Sequence, residues 1–226
     1  MPPGDPAPGN LYVVASPSGG GKTSLVRALL EREPGIRLSV SYTTRPPRSA
    51  ETDGVDYHFI NEAQFNERKA AGEFLEYAHV HGNWYATSAT WLARQIAAGH
   101  DVLLEIDWQG CRQVRSLIPS TVSIFILAPS LAALRARLET RGQDSPAEID
   151  RRLEAAREEM RHYAEFDYVI INQDFATAVA DLTAIVRASR LRAAAQQARH
   201  STLIASLLAS TIDEPTGNIH GPHNDR

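Results

Sequence analysis

Apolar positions along the chain fall into two periods. Leu11-Tyr12-Val13-Val14-Ala15 is a short, nearly unbroken apolar run with β-branched residues and reads as a buried strand. Val102 to Ile106 and Val122 to Leu127 repeat the pattern, the second ended by Ala128-Pro129, and Tyr168 to Ile171 is a further strand. Near-continuous runs of this kind suit strands covered on both faces. Elsewhere the spacing lengthens to that of a helix. Leu25, Val26, Leu29 and Leu30 share one face of a helix predicted over Thr23 to Arg32, and helices are predicted over 91–98, 131–140, 146–166 and 175–208, the last broken near Arg199. A strand, a tight loop and a helix in succession open a parallel α/β fold.

Two stretches depart from this rhythm. From Ser41 to Ala89 the chain is more polar and aromatic and alternates weakly through Val55, Tyr57, Phe59, Phe74, Tyr77, Val80, Trp84 and Tyr85, which predicts an inserted lobe of short strands with one helix near 62–71. Between Arg135 and Arg152 a second insert is marked by Arg135, Arg137, Arg141, Arg151 and Arg152 around a Gly-Gln-Asp-Ser-Pro break. The Pro/Gly-rich start and the polar end, from about Asp213, read as loose tails.

Composition narrows the class. The 226 residues suffice for one sizeable domain with insertions. A net charge of −4 and the lack of a basic aromatic platform argue against a nucleic-acid partner, so any bound anion must be held by local positive charge. No run approaches the ~20 apolar residues of a membrane helix, and the start has no basic or apolar signal segment. Cys111 is the sole cysteine, which rules out an internal disulfide. It reads as a small apolar residue in a reduced, cytoplasmic protein.

The chemistry begins at Ser16-Pro17-Ser18-Gly19-Gly20-Gly21-Lys22-Thr23, between the first strand and the first helix, with Ser24 following. It nearly matches the phosphate-loop pattern G-x-x-x-x-G-K-[ST], with Ser16 in place of the first glycine. Glycines let successive backbone N–H groups curl toward phosphate oxygens, and the helix start adds its positive dipole end. Lys22 would reach the β- and γ-phosphates, and Thr23 would place a hydroxyl on Mg²⁺. The motif alone points to a nucleoside triphosphate.

Further segments narrow the acceptor: Ser39-Val-Ser-Tyr-Thr-Thr-Arg-Pro-Pro-Arg48, Gly54-Val-Asp-Tyr-His-Phe59, Phe74-Leu-Glu76, Gly82-Asn-Trp-Tyr-Ala-Thr87, Ile106-Asp-Trp-Gln-Gly110 and Arg137-Leu-Glu-Thr-Arg-Gly142. In this order and spacing they resemble the guanylate kinase family from about Leu11 to Leu208. The resemblance implies a P-loop nucleoside monophosphate kinase fold: a core with a five-stranded parallel sheet (10–40, 90–134 and 154–210), a GMP-binding lobe (41–89) and a lid (135–153), with tails at 1–9 and 211–226. It implies reversible transfer of the ATP γ-phosphate to GMP or dGMP, with Mg²⁺. Both substrates are small molecules; no membrane partner is expected, and self-association is left open.

By the same resemblance, Arg45 and Arg48 grip the GMP phosphate, helped by the hydroxyls of Tyr57 and Tyr85. Bidentate guanidinium forks suit that task. Glu76 matches the carboxylate that accepts from guanine N1–H and the exocyclic amino group, a pairing adenine does not offer. Ser41 and Thr87 match hydroxyls on the guanine edge, and Asp107 an aspartate near the transferring phosphate and the metal region. Arg137, Arg141 and Arg152 match lid positions over ATP, and Asn172 approaches adenine. Two residues depart from the family pattern. Glu105 stands where aspartate is usual, which lengthens the reach of any magnesium or ribose contact. Ala86 stands where glycine is usual and asks for a φ below zero. Two other readings stay open: a ribose-bisphosphate kinase on the same scaffold, and a non-catalytic binding module, against which the intact Gly21-Lys22-Thr23 speaks.

Overall fold

The computed structural model describes residues 7–80, 82–140 and 145–209. Most of the predicted tails, 1–6 and 210–226, lie outside these residues, but Gly9 is already tied down by its N–H to Ile96 O at 3.0 Å.

Five parallel strands form the core sheet: β1 (Leu11–Ala15), β2 (Ile36–Leu38), β7 (Asp101–Glu105), β8 (Val122–Leu127) and β9 (Tyr168–Ile171), in the order β2-β7-β1-β8-β9. Side chains alternate across β1, and the two faces build two cores. Tyr12 and Val14 join Leu103, Ile124, Ile126 and Ile170 beneath α1 (Lys22–Arg32) and α7 (Phe175–Arg190). Leu11, Val13 and Ala15 join Val102, Leu104 and Phe125 on the opposite face, against α3 (Ala89–Ala97) and α4 (Trp108–Leu117). Cover on both faces is why β1 and β8 are apolar at nearly every position, and β7 across Val102-Leu103-Leu104. Cys111 packs in the second core as the small apolar residue expected, and burial pushes its thiol up to about 12.

At the N-terminal edge of β7, Asp101 accepts from Asn10 N (2.8 Å) and from Arg190 Nε (2.6 Å), while Arg187 Nε reaches Glu33 at 2.7 Å. Arg190 bridges Glu33 and Asp101, so the ends of α1, β7 and α7 are held by one ion network. Removing Arg190 would leave Asp101 buried without a cationic partner.

The segment between β2 and α3 folds as a four-stranded mixed sheet, β4-β3-β6-β5, made of β3 (Tyr42–Thr43), β4 (His58–Phe59), β5 (Phe74–Val80) and β6 (Asn83–Ser88). Its helix, α2 (Glu62–Ala70), starts at a capping box formed by Asn61 and Gln64, and buries Phe65 against Phe74 and Trp84 at ring distances of 5.0 and 5.4 Å. Ala86 is fully buried in regular β6 pairing with Tyr42 and Tyr77, an extended backbone that needs no glycine. A third small core joins α5 (Leu131–Thr140) to α6 (Pro146–Met160) through Leu134, Leu138, Ile149, Leu153 and Ala156.

Three expectations need correcting. The helix predicted over 146–166 ends at Met160, and a 3₁₀ turn (Tyr163–Glu165) follows. The helix predicted over 175–208 is broken twice, giving α8 (Ala193–Arg199) and α9 (Ser201–Ala209) after α7. Leu191 and Arg192 make the first break because Asp101 and Glu33 hold the end of α7 at Arg190. Helix α4, finally, is not among the predicted elements.

Candidate active site

The loop from Ser16 to Gly21 leaves the C-terminal end of β1, where parallel α/β sheets place their ligands. Gly19 (φ 85°) and Gly21 (φ 94°) take left-handed backbone that a side chain would strain. Space forbids one as well: a Cβ on Gly21 would stand 2.4 Å from Asn172 Nδ2. Asn172 Nδ2 donates to Gly20 O at 3.0 Å, and Arg137 donates to Gly20 O (3.3 Å) and Asn172 O (2.8 Å). These two residues thus brace the back of the loop.

On the open side, Lys22 Nζ lies 3.5 Å from Ile106 O, so the end of β7 aims its ammonium group across the loop mouth. Thr23 Oγ1 donates to Glu105 Oε2 at 3.2 Å. The longer side chain at position 105 is therefore long enough to meet the threonine hydroxyl directly. From α6, Arg152 donates to Ser18 Oγ at 2.6 Å, and Glu159 accepts from Ser18 N at 3.1 Å.

The four-stranded lobe faces this loop. Arg45 donates to Glu51 Oε1 at 2.7 Å and stands over the rings of Tyr57 (5.3 Å) and Phe59 (5.8 Å). Arg48 lies 3.9 Å from the same carboxylate, and its N–H donates to Glu51 Oε2 at 2.8 Å. The hydrogen bond from Arg45 holds the Glu51 carboxyl below its ordinary range. Tyr57 and Tyr85 meet edge to face at 5.9 Å, and burial raises the Tyr57 phenol. Deeper in, Glu76 is 3% exposed and accepts from Thr87 Oγ1 at 2.7 Å. Burial pushes its carboxyl up to about 7; the Thr87 hydroxyl pulls the other way, and the charge of Asp107 adds to the rise. Asp107 caps α4, accepting from Gly110 N at 2.9 Å.

One cavity of about 270 Å³ joins the two sides. Its walls include the loop from Ser16 to Thr23, Ser41, Arg48, Tyr57, Glu76, Tyr85, Glu105, Asp107 and Arg152. Of the other residues singled out in the sequence, Ser24, Arg45, Thr87, Arg137 and Asn172 stand off its wall, and Arg141 lies outside the described residues. Sequence reasoning missed Glu51, Glu159 and the partner role of Glu105. Their only signal was an acidic residue near arginines or the phosphate loop.

The raised Glu76 carboxyl has a stability consequence. The folded chain binds this proton more tightly than the unfolded chain, whose group keeps its ordinary value of 4.5. Between about pH 4.5 and 7 the folded state therefore holds more protons, and its stability falls as pH rises through that window. The full difference amounts to about 3 kcal/mol. Urea unfolding at pH 5 and pH 8 should show wild type losing most of that difference relative to Glu76→Gln; equal slopes for the two proteins would count against the assignment.

A glycine-rich anion cradle on a parallel sheet, facing a second lobe with arginines and a buried carboxylate, defines a P-loop nucleoside monophosphate kinase fold. The family model described as guanylate kinase matches residues 8–189. The chain is 58% identical over 200 residues to a guanylate kinase of Dechloromonas aromatica, covering 88% of this chain and 99% of that one. It is 60% identical over 193 residues to one of Aromatoleum aromaticum, covering 85% and 95%. The crystal structure of guanylate kinase from Anaplasma phagocytophilum superposes with a TM-score of 0.74 at 31% identity, over 91% of this chain and 98% of that one. This chain belongs to the guanylate kinase family. Among the described residues, no helix is long and apolar enough to cross a membrane.

Proposed function

We propose that the protein is an ATP:GMP phosphotransferase that passes the γ-phosphoryl group directly to GMP or dGMP, without a phosphoenzyme. The observation that carries this reading is that the phosphate loop and Glu76 share one cavity, so a triphosphate on the loop and a purine monophosphate against the carboxylate would face each other. An oxygen of the GMP phosphate attacks the γ-phosphorus as the bond to the β–γ bridging oxygen breaks, and ADP leaves. No general base is needed, because that phosphate is already ionised near neutral pH. Lys22 and the loop amides spread charge on the donor side, Arg45 and Arg48 release Glu51 for the acceptor phosphate, and Arg152 approaches from α6.

The donor set fits Mg²⁺. The Thr23 hydroxyl and the Glu105 carboxylate meet at the loop mouth, and both are hard oxygen donors. These two groups would hold the ion together with ATP phosphate oxygens; when bound, it neutralises charge on the β- and γ-phosphates. A single buried thiol fits our reading of a reducing, cytosolic setting.

The Glu159 carboxylate accepts from the Ser18 N–H of the phosphate loop. A phosphate oxygen approaching Ser18 N meets like charge there, so Glu159→Gln is expected to lower the KM for ATP about three- to tenfold with little change in kcat. Initial rates at saturating GMP check this; an unchanged or higher KM counts against it.

The assay that tests the function offers Mg·ATP with GMP, dGMP, AMP, CMP, UMP or ribose 1,5-bisphosphate and follows ADP release. Rapid ADP formation with GMP, and little with AMP or with ATP alone, is expected. Turnover only with the ribose compound would point to a sugar-phosphate kinase, and no turnover at all, with ATP still bound, to a binding module.

A further inference from the structure

Gly110 occupies the first turn of α4, and its backbone gives no reason for glycine. Unlike Gly19 and Gly21, it is not in the left-handed region. Within a helix, glycine is the least favourable residue after proline, so alanine would hold α4 better. The reason lies across the interface. A Cβ at this position would stand 2.5 Å from Glu76 Oε2, 3.1 Å from Glu76 Cδ and 3.2 Å from Ile106 Cδ1. The backbone of α4 therefore forms the floor on which the Glu76 carboxylate rests.

One turn further along, a second contact continues the same interface. Gln113 Oε1 accepts from Tyr77 N at 3.2 Å, and Gln113 Nε2 donates to Tyr77 O at 2.8 Å. β5 is an edge strand of the lobe sheet, so this side-chain amide pairs with it as a neighbouring strand would. Asp107 Oδ1 anchors the helix start through Gly110 N. Helix α4 thus grips β5 at the two successive residues Glu76 and Tyr77, one contact reserved for a carboxylate and the other for backbone.

We propose that Gly110 is a specificity-determining position for the purine monophosphate. The missing side chain at 110 sets how deep the Glu76 carboxylate sits while its Oε1 stays on Thr87. A methyl group there drives the carboxylate toward the cavity or off the threonine. In either position it no longer meets two adjacent N–H donors of a purine at the distance set by the phosphate grip. The inference rests on the reading of Glu76 as the base reader.

The test is a double-mutant cycle read by calorimetric binding of GMP and of Mg·ATP, together with thermal unfolding. Gly110→Ala is expected to raise the Kd for GMP at least about tenfold while leaving the Kd for Mg·ATP within about twofold. In a Glu76→Ala background the carboxylate is gone and only the milder 3.2 Å contact with the end of the Ile106 side chain remains, so adding Gly110→Ala should change the GMP Kd by less than about twofold. If the single variant unfolds while the double variant stays folded, the collision is located at Glu76 all the same. Equal GMP binding by wild type and Gly110→Ala, the same loss in both backgrounds, or unfolding of both variants would overturn the proposal. A wild-type protein that does not bind GMP at all would instead overturn the functional reading, and this inference with it.

Discussion

Lys22→Ala is expected to lower kcat by about a thousand-fold while the protein keeps its fold. Lys22 is the first residue of α1, half-exposed at the loop mouth, and its ammonium rests only lightly on Ile106 O at 3.5 Å. Truncating it removes no core packing, and alanine is the best helix former. What is lost is a positive charge aimed where three phosphate oxygens gain negative charge during transfer. A donor held in place before the reaction costs nothing to reorganise, so its effect is concentrated in the transition state. The KM for GMP, set on the other lobe, should change far less. Steady-state kinetics with thermal unfolding as the control decide the matter: a folded variant with near wild-type kcat removes Lys22 from the chemistry.

The second large effect is expected at Glu76. Glu76→Gln keeps the shape of the side chain but turns one acceptor into a donor, which then faces the donors of guanine. Leaving such groups buried and mispaired is expected to cut kcat/KM for GMP by about a hundred- to a thousand-fold. AMP should be affected much less, so the preference for GMP collapses rather than the activity as a whole. The pH profile sharpens the test. With the Glu76 carboxyl pushed up to about 7, GMP binding to wild type should weaken as pH falls below about 7, because protonation removes one acceptor. The glutamine variant should lack the part of that dependence centred near 7 and keep only the part set by the GMP phosphate, whose second ionisation lies at about 6. A variant that retains guanine selectivity would assign base reading to other groups, such as Ser41 and Asp107 on the same wall.

How far the sequence carried varies with the residue. β1, β7 and β8 were legible because each is buried on both faces, which leaves a short apolar run that few other arrangements explain, and β9 because its run is β-branched, although Val169 and Ile171 are exposed at the sheet edge. Helix α4 was not: Gly110, Ser116 and two arginines interrupt its pattern, although Asp107 is a capping residue and Cys111, Val114 and Ile118 follow at helical spacing. The end of α6 was missed because His162 to Glu165 is composed like a helix, while the stack of His162 on Trp108 (3.5 Å between ring centres) and the pairing of Glu165 with Arg112 draw the chain into a tighter turn. Lone carboxylates such as Glu51 and Glu159 carry no spacing that distinguishes them from solvated charge; their meaning comes from the partner, which lies 6 residues away for Arg45 and 141 for Ser18.

By itself the sequence determined the phosphate cradle and the parallel core around it, because both are local: a glycine-rich turn between a buried strand and an amphipathic helix has few other uses. It also determined, through residue type and order, the resemblance that named the acceptor. Only the tertiary structure decided how those parts act on one another. Burial beneath the lobe raised the Glu76 carboxyl, a property of surrounding atoms far apart in the chain rather than of glutamate. The close approach of α4 gave a glycine in a helix its reason, and the fold set Glu51 and Glu159 against the groups that phosphate would claim. Charge, desolvation and steric contact act through space over a few ångströms, and that proximity is fixed only once the lobes have folded against each other.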